Sequence, residues 1–240
     1  VSGILDLVLA PPKTPDPDGR TIVFLLDVST SLQRSDFPAE LGAALERNAK
    51  HLDGTRIGIA KAGADEALLL APTSDVKVVA TAARDACSKT DSSFQDVYAE
   101  VRRVLPAARK GKGSRELILV SLENGDAETE LERTVSLLVK ARVRLSVITR
   151  EAFLSDSIWV VHPPKAPRGT EFTGADNAFI ELPWGYRFQW GIANNGVLSG
   201  FAMHGPTRMA AETGGKVYLY YPPSGYPHYC CPHRHCTCPF

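Results

Sequence analysis

No stretch of the chain stays apolar for the length that a bilayer crossing demands, so no membrane-spanning helix is expected. Neither sign of charge is in excess: 27 Lys and Arg stand against 27 Asp and Glu, and the formal net charge is zero. A chain without a net field lacks the electrostatic footprint of a nucleic-acid binder or of a protein held on an anionic surface. Cysteine is nearly missing from the body. Cys87 is the only one before Cys230, so the body does not depend on a disulfide framework. There is no Gly-rich phosphate loop followed by Lys-Ser/Thr and no G-x-S-x-G elbow, which argues against two common kinds of transfer chemistry. No internal repeat is found. The chain begins at Val1 rather than Met, as a processed or trimmed chain would.

What is present is one strong organising stretch. Ile22 to Leu26 run without polar interruption, which suits a strand buried on both faces. With 240 residues the chain can fill one core well, or two small ones at most. Residues 1–20, rich in Pro and Asp, read as an extended N-terminal segment with Leu5 to Leu9 packing on the body. A helix capped by Ser35 or Asp36 is expected to run to about His51, then strands at Arg56–Lys61 and Ala67–Thr73 and a helical stretch at Val76–Ala86. An amphipathic helix follows through Phe94, Val97, Tyr98, Val101, Val104 and Leu105, with further strands at Glu116–Leu122 and Val143–Ile148 around a helix at Glu128–Ala141. Residues 150–200 break this alternation, and their Trp184–Trp190 aromatics suit either a packed strand or an exposed recognition surface. Met203–Thr213 and Lys216–Tyr221 then give a last helix and strand. The alternation predicts an α/β fold, a doubly wound and mainly parallel sheet flanked by helices, over residues 21–221. In such sheets ligands bind beyond the carboxyl ends of the strands.

The apolar run stops at an acid. Asp27, Ser29 and Ser31 place one carboxylate and two hydroxyls at alternate positions just past a buried strand, hard oxygens of the kind that Mg²⁺ or Mn²⁺ requires. Read blandly, the same residues would only cap the next helix. The motif, with the Thr213-Gly214-Gly215 before the last strand and the order of elements, resembles the von Willebrand factor A (VWA) domain of bacterial type, with an insertion before its last helix. That resemblance implies a metal-ion-dependent adhesion site holding Mg²⁺ (or Mn²⁺ or Ca²⁺) through Asp27, Ser29 and Ser31. It also implies a second-loop hydroxyl, for which both Thr90 and Ser92 qualify. The third-loop Asp of the family is replaced here by Asn124, with Glu123 and Asp126 as neighbouring carboxylates. An amide oxygen ligates without bringing charge. The function so implied is non-catalytic protein–protein binding, in adhesion or assembly, to a partner that offers an Asp or Glu carboxylate.

Two other readings stay open. A metal-dependent hydrolase would use Asp27 as its nucleophile, although Ser29 stands where a second catalytic acid would be needed. A metal-handling protein would act through residues 222–240, where Cys230, Cys231, His233, His235, Cys236 and Cys238 crowd together. That tail suits Zn²⁺, local disulfides or a disordered end, since adjacent Cys and a C-x-C depart from paired C-x₂-C spacing. Clustered cysteine leans toward an extracytoplasmic setting.

Overall fold

The computed structural model describes residues 2–11, 16–28, 32, 36–88, 96–122, 130–149, 153–154, 197–198, 202 and 204–220. Six strands form one sheet in the order β3-β2-β1-β4-β5-β8. In chain order they are β1 (Arg20–Leu26), β2 (Thr55–Lys61), β3 (Leu70–Thr73), β4 (Ser114–Ser121), β5 (Arg144–Thr149) and β8 (Val217–Leu219). All neighbours are parallel except β3, which runs antiparallel to β2 with a register shift between Ile57 and Ile59. The result is the expected doubly wound α/β fold. β1 lies between β2 and β4 and is buried along its whole length, which is why its apolar run needs no alternation.

Helices cover both faces. α1 (Ser2–Leu9), α2 (Phe37–Arg47) and α3 (Val76–Ser88) pack on one, where Ile22, Phe24, Leu26, Ile118 and Val120 point. α4 (Val97–Arg109), α5 (Leu131–Ala141) and α6 (His204–Thr213) cover the other, over Val23, Leu25, Leu117, Leu119 and Val147. Alternate residues of one strand thus feed two separate cores. Phe37 and Tyr220 meet edge to face at 5.8 Å and close the first core at the sheet's far side.

The N-terminal segment departs from expectation. Ser2–Leu9 is helical rather than extended, and Leu5, Val8 and Leu9 bury one face against the sheet and α2. Its end is satisfied from a distance, because the Arg20 guanidinium donates to the carbonyls of Val8 (3.1 Å) and Ala10 (3.0 Å). Asn48 and Arg47 donate to Asp6 and pin the other side to α2. The strand expected from Ala67 is shorter, starting at Leu70. A two-residue antiparallel pair, β6 (Phe153–Leu154) with β7 (Val197–Leu198), joins the two ends of the expected insertion. The aromatic cluster at Trp184–Trp190 lies outside the described residues, as do Tyr221 and the tail of residues 222–240.

Candidate functional site

The chain leaves β1 at the centre of the sheet, goes to β2 on one side, and later returns to β4 on the other. The direction of the connections switches between β1 and β4, and in such sheets the carboxyl ends of the strands at that point are the usual ligand position. Asp27 stands there. It is 7% exposed, and its backbone N–H donates to Val120 at 2.9 Å, continuing the β1–β4 ladder one residue past the strand. The Ser121 hydroxyl, at the end of β4, donates to Asp27 Oδ2 at 2.6 Å. That length is in the charge-assisted range for a hydroxyl on a carboxylate.

The ladder explains the pairing. Leu26 lies opposite Val120, so Asp27 follows opposite Ser121, and Ser121 in turn lies opposite Thr149 on β5. Asp27, Ser121 and Thr149 make one polar row across three adjacent strands, on the face of Leu25, Leu119 and Val147. Thr149 is fully buried, and its Oγ1 has no hydrogen-bond partner among the described residues.

Of the residues expected to hold a cation, Asp27 alone is within the described set. Ser29, Ser31, Thr90, Ser92, Glu123, Asn124 and Asp126 lie outside it, as do Cys230, Cys231, His233, His235, Cys236 and Cys238 of the tail. The described chain stops at Val28, Ser88 and Leu122 and resumes at Asp96 and Glu130. Asp96 caps α4 by accepting from the N–H groups of Tyr98 and Ala99. Arg102 lies 3.3 Å from Glu130 and 3.9 Å from Asp96 and donates to Thr134 at 2.7 Å, so one cation ties the first turns of α4 and α5 together. Glu130 itself sits at φ 65°, a left-handed value uncommon for a side-chain-bearing residue.

Two of these residues escape a reading of the sequence. Ser121 lies inside a run read as an apolar strand, and only its position one strand across from Asp27 gives it a role. Asp96 supplies the cap of α4.

A buried carboxylate backed by a hydroxyl is an oxygen-only environment, and it fits a hard divalent ion better than a soft one. Among the described residues no group of three or more His, Cys, Asp or Glu is placed to hold a metal. None of the described helices is long and apolar enough to cross a membrane. Cys87 is buried in α3, and burial pushes its thiol up to about 11 from an ordinary 9.0, with Lys61 opposing the shift. Thiol labelling at pH 8 followed by peptide mapping should therefore leave Cys87 unmodified in the folded protein and modify it in urea. The raised thiol contributes stability below its ordinary value, which is lost as pH climbs from 9.0 to about 11. A Cys87→Ala variant should show a flatter stability profile across that window.

Solved structures resemble this arrangement at low identity. An aerotolerance-related membrane protein from Bacteroides fragilis superposes with a TM-score of 0.50 at 12% identity, over 84% of this chain and 91% of that one. BatB from Bacteroides thetaiotaomicron gives a TM-score of 0.47 at 15% identity, over 84% and 90%. The human COPII-coat protein Sec24c gives 0.46 at 12% identity, over 87% of this chain and 30% of its own. The likeness is one of fold. No family model matches the sequence, and no curated protein matches it.

Proposed function

We propose that the chain is a non-catalytic interaction module of VWA type, which binds a protein partner at the carboxyl edge of its sheet through a divalent cation. The observation that carries this reading is Asp27: a nearly buried carboxylate, delivered by the central strand to the switch point and fixed there by Ser121. Ser29, Ser31, a hydroxyl from Thr90 or Ser92, and Asn124 or Glu123 would complete the ligand set. Mg²⁺ held there supplies open coordination positions that a partner's Asp or Glu carboxylate can fill. The chain's own part is to hold the ligands on a rigid edge. An extracytoplasmic setting belongs to the same reading.

Calorimetric titration of Mg²⁺ and Mn²⁺ into the metal-stripped protein tests it. Binding is expected in the wild type and in a chain ending at Pro222, and is expected to vanish in Asp27→Ala. Binding that survives Asp27→Ala and disappears with residues 223–240 would instead assign the metal to the Cys/His tail.

A further inference from the structure

The amino end of the sheet, opposite the edge that carries Asp27, gathers positive charge. Arg56 on β2 and Arg115 on β4 both lie opposite Thr21 on β1, so the three form one row. Strand alternation puts that row on the face of Val23 and Leu117, which α4 covers. The turn after α4 is seated on the middle of the row. The Thr21 hydroxyl donates to the Lys112 carbonyl at 2.9 Å, and a Cβ on Gly111 would meet the Thr21 side chain at 2.6 Å. Arg115 reaches back to the last turn of α4 and donates to the Arg109 carbonyl at 3.1 Å. Two strands, a helix end and a turn therefore bring Arg56, Arg109, Lys110, Lys112 and Arg115 to one place. All but Arg115 are exposed, and among the described residues none of the five is in an ion pair, as Arg47 and Arg133 are. The zero net charge of the chain conceals the patch. Four of the five cations come from residues 106–115, a stretch with no acid in it, and the fold adds Arg56 from another strand.

We infer that this end of the sheet docks the protein on an anionic lipid surface. Cations in a helix's last turn offset the negative end of its dipole, which accounts for Arg109 and Lys110. It does not account for Arg56 and Arg115 on strands, or for Lys112 in the turn. On this face α4, α5 and α6 all end here, so no helix N-terminus is present to cradle a single phosphate. A base-stacking site needs exposed aromatic rings, and the exposed large apolar side chains among the described residues include none. A protein interface takes most of its energy from anchors buried at its centre. None of those exposed apolar side chains lies on β1, β2, β4, α4 or the turn after α4. Charge without an anchor is what a polybasic surface offers an anionic leaflet. The orientation is also productive. β1 has seven residues, so a protein resting on its amino end directs the Asp27 edge away from the bilayer, about 20 Å off. No residue of the Asp27 edge takes part, so the docking is independent of any cation there.

Co-sedimentation with vesicles of phosphatidylcholine, alone or mixed with phosphatidylglycerol, tests the docking. The protein should pellet with the mixed vesicles and stay in solution with the neutral ones. Salt at about 1 M, where the Debye length is about 3 Å, should release it. A cation near an anionic leaflet is worth about fivefold in partitioning, so Arg56→Gln should lose about fivefold. The double variant Lys110→Gln/Lys112→Gln should lose about 25-fold. Arg56→Gln is the decisive variant, because only the fold places that residue with the others. Arg84→Gln makes the same change in net charge at an exposed position of α3, on the sheet's other face, and should partition like the wild type. All four side chains are exposed, so the Tm values should match, which separates lost docking from lost folding. Equal partitioning to both vesicle types, binding that survives the salt, or a loss in Arg84→Gln as large as in Arg56→Gln would each overturn the inference. So would a double variant that partitions like the wild type. Retention on duplex DNA at salt that already releases the vesicles would overturn it in favour of nucleic acid, and release from the vesicles by polyglutamate that itself captures the protein would overturn it in favour of an acidic protein.

Discussion

Arg20→Met should destabilise the protein by about 3–5 kcal/mol, the range for breaking one side of a buried ion pair. Arg20 opens β1 at the sheet end opposite Asp27. One of its guanidinium nitrogens is 2.6 Å from Glu116 on β4, and both side chains are more than nine-tenths buried. Glu116 also accepts from Ser146 at 2.6 Å and from Arg144 at 3.4 Å. Methionine keeps the stem's packing but removes the charge, leaving the carboxylate with the half-exposed Arg144 as its cation. The same change strips the end of α1 of its donors to Val8 and Ala10. Two readouts should move together: the denaturant midpoint, and the rate of proteolysis near Ala10 and Pro11. Arg20→Lys keeps a charge but not the fork that reaches three acceptors, so it should fall between. A loss below about 1 kcal/mol would mean that water replaces the network at little cost, as it does for exposed pairs.

That network was not legible in the sequence, and the reason is physical. Arg20 and Glu116 are ninety-six residues apart, and nothing local marks either as buried. The same network accounts for α1. A Pro- and Asp-rich stretch follows Leu9, so composition argued for an extended segment, whereas the helix is held by a guanidinium from the next strand and by apolar contacts to α2. β1, β4 and β5 were readable because strands covered on both faces must be apolar throughout. β3 was overextended because its residues are only half-buried and carry no such constraint. At the site, Asp27 was legible as an acid that ends an apolar run. Ser121 was not, because a lone serine in a strand gains meaning only from the register that sets it opposite Asp27.

Gly215→Ala is expected to cost about 3 kcal/mol, at the upper end of overpacking changes, whereas Gly214→Ala should cost about 1 kcal/mol. The two neighbours do different work. Gly214 has φ 70°, and its N–H donates to Ala211 while that of Gly215 donates to Ala210, the paired bonds that end α6. A Cβ on Gly214 would meet nothing within 4 Å, so only the backbone conformation resists it. A Cβ on Gly215 would fall well inside contact distance of the Leu145 carbonyl oxygen, which is backbone of β5, held in register by β4, and cannot readily yield. Thr213 fixes that approach, since its hydroxyl accepts from the Leu145 N–H at 2.9 Å. The whole Thr-Gly-Gly stretch is thus a device for bringing β8 against β5. Among the described residues the β5–β8 ladder has three residue pairs, Val147 with Val217 through Thr149 with Leu219, so a displacement at Gly215 is poorly absorbed along it. Loss of β8 would also withdraw Tyr220 from Phe37 and open the first core. Urea unfolding of the two single variants separates these effects. If Gly215→Ala proves no more costly than Gly214→Ala, the backbones of α6 and β5 are not in close contact there, and the motif serves the helix end alone.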